Sequence, residues 1–248
     1  MFIHVLQSEW LKRKRSFAST LVLGGSLFTP VVVIIARLIQ HKALPKLYAM
    51  DAFWPQLWRS CWESVAVFFL PLGAILATSL IAQLEFKSNA WKQVHTLPVS
   101  AASIFLAKLA VVLVMLLQYL LLFTAGIYAA GMIPYALVPG VPYPKGSFLD
   151  LPLWRVNALY FVDTLPIVAA QYLMALRFHN FLIPIGVGFM AWIGALAAVS
   201  SKVAAWWPYS YTILHHLKGA QPRWPAFGFF LLLTAAGYVL FATRREKG

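Results

Sequence analysis

Charge is scarce in this chain, and negative charge scarcest. Of 248 residues, seven are Asp or Glu against 20 Lys and Arg, and charged residues make up only 11%. A soluble domain needs a charged and polar exterior, so a composition that is 61% hydrophobic excludes one. Cysteine is almost missing. Cys61 stands alone, which excludes an internal disulfide and any Cys-x-x-Cys motif. It reads as a buried or interfacial thiol, with an intersubunit bridge as the alternative. No Ser/Gly-rich linker, low-complexity tract or clear internal repeat divides the chain, so residues 1–248 read as a single transmembrane domain.

The signatures of catalysis are missing as well. There is no His-Glu-x-x-His and no Gly-x-Ser-x-Gly. Gly140 to Ser147 has a superficial likeness to a phosphate-binding loop. Its order is Lys-Gly-Ser rather than Gly-Lys-Ser/Thr, and Pro142 and Pro144 remove backbone N–H groups that would cradle phosphate. His215 and His216 are the only adjacent histidines, and neighbouring side chains on a helix point in different directions. His4, His41, His95 and His179 are scattered. The chain therefore reads as a non-enzyme with no metal site and no cofactor of its own.

What is present is a series of long apolar runs, each near the roughly 20 residues that span a hydrocarbon core. They predict an all-α membrane protein with six transmembrane helices, near 18–38, 62–84, 104–133, 156–176, 181–199 and 224–243. Ahead of them, residues 1–17 predict an amphipathic helix lying flat on the membrane, with Ile3, Leu6 and Trp10 at helical spacing. Trp10 and the cluster Lys12, Arg13, Lys14 and Arg15 are its expected membrane-surface residues. This order, apolar residues before the charges, is not that of a secretory signal.

The net charge of +13 fits lipid head groups at helix ends better than nucleic acid. The basic cluster places the N-terminus in the cytoplasm, and six spans return the C-terminus, with Arg244, Arg245 and Lys247, to the same side. The expected location is a bacterial cytoplasmic (inner) membrane, multi-pass, with both termini cytosolic. Most of the ten Trp fall at span ends and read as an aromatic belt. On the external side, 40–61 predicts a short interfacial helix, 134–152 an ordered proline loop, and 200–223 a half-buried or re-entrant element.

Polar residues inside spans are few. Asp163 lies in the fourth span, three residues before Pro166, and a carboxylate there is costly to bury. Two readings stand: a substrate or proton contact in the translocation path, or a structural pair with Arg155 or a lysine near the outer surface. Gln118 and Gln171 are further candidates for the path, with interhelical hydrogen bonding as the structural alternative.

One polar stretch interrupts the apolar pattern: Glu85-Phe-Lys-Ser-Asn-Ala-Trp-Lys-Gln-Val-His-Thr-Leu-Pro-Val-Ser100, followed by Lys108. The acidic residue, Trp, Leu-Pro-Val-Ser and downstream Lys, in that order, resemble the cytosolic segment between the second and third helices of type-2 ABC transporter permeases. The stretch 176–189, with Phe178-His-Asn-Phe181, and Trp206-Trp-Pro-Tyr-Ser210 resemble elements of lantibiotic- and bacitracin-type peptide immunity permeases.

The resemblance implies a short cytosolic coupling helix within 85–103. It would dock on a separate ABC ATPase subunit through Glu85, Lys87, Trp91, Lys92, Leu97 and Pro98. It also implies ATP and Mg on that partner, a second permease chain as homodimer or related heterodimer, and export of an amphipathic substrate such as a peptide antibiotic. The alternatives are an ABC permease for an ion or lipid intermediate, and a non-transport membrane scaffold or sensor subunit.

Overall fold

The structure is a computed structural model describing residues 2–14, 16–87, 100–178, 180–219 and 223–245. All regular structure among these residues is helical. The chain opens with α1 (Phe2–Lys14) and α2 (Phe17–Ile39), then a short α3 (Leu44–Tyr48). A long descending helix follows in two parts, α4 (Phe53–Ser64) and α5 (Leu70–Lys87), joined by a π-turn at Val65–Phe69. Next come α6 (Ala101–Leu137), α7 (Leu153–Arg177) and α8 (Leu182–Ala198). Two 3-10 turns, Lys202–Trp206 and Pro208–Ser210, lead into α9 (Tyr211–Lys218) and the final α10 (Arg223–Arg245).

Among the described residues, five helices are long and apolar enough to cross a membrane: Phe17–Ile39, Phe53–Ala82, Ala101–Leu137, Leu153–Arg177 and Trp224–Thr243. The fifth expected span is the shorter apolar helix Leu182–Ala198. It is short because the chain turns back on itself directly afterwards, as described below.

α7 is the central post, packed on α10, α5, α6 and α8, while α6 carries α2 and α1. α2 and α10 are peripheral. Only 22% and 17% of their apolar stretches are buried, against 72% in α7, so their outer faces suit lipid or a partner helix. The close approach of α2 to α6 requires Gly126. A Cβ there would meet the ring of Pro30 at 2.7 Å.

Ser100 starts α6 by accepting a hydrogen bond from the Ser103 N–H at 3.2 Å. Pro134 sits inside the last turns of α6 rather than opening the loop, which begins only after Leu137. The expected interfacial helix around 54–61 is instead the far end of the second span. Its side chains Trp54, Leu57, Trp58 and Cys61 are all buried. Their helical spacing is real, but the stripe faces protein. Phe148 from the proline loop packs edge-on against both Trp54 and Trp58, at centroid distances of 5.1 and 5.9 Å.

Candidate functional site

At the end of the bundle that carries α1, a buried ion cluster ties the lead helix to α6. Lys108 has no exposed surface, and its Nζ donates to Glu9 Oε2 at 2.6 Å. Lys12 Nζ donates to the other oxygen of the same carboxylate, also at 2.6 Å. An ammonium this deeply buried requires a counter-charge, and Glu9, itself 5% exposed, supplies it. Further along, the Arg13 guanidinium lies over the Trp10 ring at 3.7 Å and donates to Gln118 Oε1. Burial lowers the Arg13 pKa from its usual value. Ten positions separate Lys108 from Gln118, about 15 Å of helix. α1 is therefore strapped along the first half of α6, with Phe2, Ile3 and Leu11 facing outwards.

At the far end, the chain after α8 folds back into the bundle. Trp207 Nε1 donates to the Ala191 carbonyl at 2.9 Å, well below the end of α8 at Ala198. Tyr209 is buried, and its hydroxyl accepts from Gln171 Nε2 at 3.0 Å, while Gln171 Oε1 accepts from Ser79 at 3.2 Å. Ser210 Oγ donates to main-chain carbonyls of the segment itself, Ala204 and Trp207. Irregular backbone is tolerated at such depth only when protein satisfies it in this way. α9 then carries Tyr211, Thr212, Ile213 and Leu214 buried against α7 and the π-turn. The segment 200–219 thus folds back against α7 and α8, and is named the re-entrant segment for that path.

α9 places His215 on Asp163. His215 Nδ1 and Asp163 Oδ2 are 2.6 Å apart, with the side chains 12% and 2% exposed. A carboxylate oxygen accepts, so in the pair as built the imidazole N–H is the donor. The imidazole stacks on Tyr160 at 4.5 Å, and Tyr160 stacks on Trp62 at 4.0 Å. The Tyr160 hydroxyl lies 3.3 Å from His216 Nδ1. Burial pushes the His216 pKa down, Glu63 partly offsets this, and Arg59 and His215 add to the lowering.

A cleft of about 650 Å³ opens at the same end between α6 and α7. Its walls include Trp54, Leu121, Tyr128, Phe148 and Trp154. At its base Asn157 Nδ2 donates to Thr124 Oγ1 at 2.9 Å. Among the described residues no charged side chain lines it. No group of three or more His, Cys, Asp or Glu side chains able to hold a metal occurs among the described residues.

The family model of the ABC-2 family transporter protein matches residues 5–195, from α1 through most of α8. The chain belongs to that family. It is a membrane component of an ABC transporter, a multi-pass permease subunit whose transporter includes an ABC ATPase. No curated protein and no solved structure matches the chain.

In this ABC-2 permease the residues singled out in the sequence fall into three places. Glu85 and Lys87 are on the last turn of α5. Trp91, Lys92, Leu97 and Pro98 lie outside the described residues, as does Arg15 of the basic cluster. Gln118 is engaged by Arg13 at the α1 end, whereas Asp163 and Gln171 both bond to the re-entrant segment. None of the three lines the aromatic cleft.

Asp163 has a partner that the sequence reading did not name, His215. Lys12 and Arg13 turn towards protein partners, Glu9 and Gln118, while Lys14 is exposed. Sequence reasoning missed Glu9 and the role of His215. The available signal was composition: with so few acidic residues, one inside a basic amphipathic helix stands out.

Proposed function

We propose that this ABC-2 permease is the membrane subunit of an exporter that expels an amphipathic substrate, in the narrowest reading a lantibiotic-like peptide antibiotic, so that it serves antibiotic resistance or bacteriocin immunity. It sits in a bacterial cytoplasmic membrane with six spans, counting α8, and with both termini cytosolic. Two permease chains pair with two ATPase subunits that hold ATP and Mg. The α1 end is then the cytosolic face, and the re-entrant segment and aromatic cleft lie at the outer face.

The observation that carries this reading is the family match over residues 5–195. Three features support the finer points. The lead helix has Lys12, Arg13 and Lys14 in its last turn, as a cytosolic end requires. The helices that flank the polar stretch resembling an ATPase-docking segment, the end of α5 and the start of α6, are at this same end. The uncharged aromatic cleft suits an amphipathic compound, since ligand sites of this size are mostly apolar with a few polar groups.

The test is co-expression with an ABC ATPase encoded beside it. The ATPase should co-purify, hydrolysis should require it, and cells carrying both should survive a lantibiotic that kills cells carrying either alone. ATP hydrolysis by the chain purified free of other subunits, or failure to retain any ABC ATPase, defeats the reading. Retention without protection leaves the permease in place and removes the peptide substrate.

A further inference from the structure

The re-entrant segment is held at a level where two neighbouring spans are each weakened. The π-turn Val65–Phe69 follows directly on Trp62 and Glu63. Its i→i−5 bonding disturbs the regular ladder, and the Val67 carbonyl takes a hydrogen bond from Trp192 Nε1 at 2.9 Å. In α7, Pro166 comes three residues after Asp163 and has no N–H to give to the Val162 carbonyl. Helices bend at such points, so the outer parts of both spans have a place to pivot.

Directly above these points, one continuous contact joins the two spans to the segment. Trp62 of α4 stacks on Tyr160 of α7, Tyr160 stacks on His215 of α9, and His215 bonds to Asp163 of α7. Asp163–His215 is the short, charge-assisted member of this chain, shielded from water on most sides. Two further polar ties of the segment to α7 are longer: Tyr160–His216 at 3.3 Å on the same level, and Gln171–Tyr209 at 3.0 Å, which lies deeper.

We propose that Asp163 and His215 form a latch: as positioning residues they hold the re-entrant segment shut over the outer end of the bundle, and the segment lifts when the pair parts. The outer location rests on the reading given under Proposed function; the latch itself does not depend on transport. His215 lies beyond the residues that the family model matches.

The experiment measures access to a position that the closed segment hides. Thr212 on α9 has no exposed surface, and neither does Val111 on α6. Each is changed to Cys in the full chain, in a Cys61→Ala background, and treated in intact cells with a membrane-impermeant maleimide. With the latch intact, Thr212→Cys should label slowly. Asp163→Asn and His215→Gln should each speed its labelling roughly tenfold or more, the scale of a lost hydrogen bond to a charged group. The double variant should be no faster than the faster single one, because the two residues act as one link.

Val111→Cys should stay protected throughout. Unchanged labelling of Thr212→Cys in both single variants overturns the latch. So does a double variant faster than either single one. Labelling of Val111→Cys alongside Thr212→Cys also overturns it, because the pair is then scaffold for the whole bundle. In a second arm the ATPase subunit is co-expressed, and ATP should raise labelling of Thr212→Cys with the pair intact. No response to ATP, when the variants alone open the segment, counts against the transport cycle and leaves the latch standing.

Discussion

Lys108 shows what a single residue can reveal about this bundle. It is a cation with no exposed surface, and its counter-charge arrives from a helix 99 positions earlier in the chain. Removing one partner of a buried ion pair leaves the other charge stranded, at a cost of about 3–5 kcal/mol, whereas replacing both by apolar groups is often neutral. Glu9→Gln should therefore lower the thermal aggregation midpoint of the detergent-solubilised protein markedly. Glu9→Leu combined with Lys108→Met should recover most of the loss. A Glu9→Gln protein as stable as the wild type would show that the carboxylate is not what Lys108 depends on. The sequence analysis singled out Lys108 and the basic residues of α1 but not Glu9. Asp163 likewise stands out, read as a substrate or proton contact or as a pair with Arg155 or an outer lysine, and its bond to His215 is not foreseen. In both cases the unusual residue is visible in a string of letters, because charge is rare there. Its partner is not visible, since the pairing is set by which helices pack.

At the scale of elements, the apolar periodicity located every long helix, and turn chemistry located the proline loop. Two features escaped it. The π-turn at Val65–Phe69 leaves no mark in an apolar run; the Val67 carbonyl within it is taken up by Trp192 Nε1, a tertiary contact no local pattern reveals. The stripe Trp54, Leu57, Trp58 and Cys61 was read as an interfacial helix, since aromatic residues near a span end suit an interface as well as a core. Phe148, from a loop whose path the sequence does not specify, covers Trp54 and Trp58.

The junction of α5, α7, α8 and the re-entrant segment offers a clean test. A Cβ on Gly188 would lie 1.8 Å from Gln171 Nε2, while nothing lies within 4 Å of a Cβ on Gly186. Gly186→Ala should be neutral or slightly stabilising, as helix propensity alone would have it. Gly188→Ala on the same helix should cost about 1–3 kcal/mol through overpacking, by driving Gln171 off Ser79 and Tyr209. The two unfolding midpoints should separate clearly. Equal midpoints would mean that the Gln171 junction is looser than its geometry.

For the molecule as a whole, the division of labour lies along its long axis. At the α1 end, the lead helix is strapped to α6, and α6 begins immediately after the polar stretch 88–99. At the opposite end, the re-entrant segment is latched to α7, the central post. A movement imposed on the polar stretch would reach both flanking helices: α6, which is tied to α1 through Glu9, and α5, which packs on α7. In the proposed transporter that movement comes from the ATPase.

Trp91 gives the stretch one large apolar side chain, and aromatic anchors of this kind dominate the energetics of many interfaces. Pro98 fixes the backbone just before the Ser100 cap of α6, so a displaced Trp91 would be transmitted rather than absorbed. Trp91→Ala should weaken retention of the ATPase. Glu85→Lys, at the end of α5, should uncouple hydrolysis from transport by reversing a charge beside the docking surface. Both positions lie beyond the apolar stretch Phe53–Ala82, so the variants should insert and assemble as the wild type does, and labelling at Lys12→Cys and Lys247→Cys should still require permeabilised cells. The deciding measurement is ATPase co-purification together with substrate-stimulated hydrolysis. If both persist at wild-type levels in the Trp91→Ala, Glu85→Lys double variant, the stretch between α5 and α6 is not the coupling element, and the ATPase must dock elsewhere on the permease.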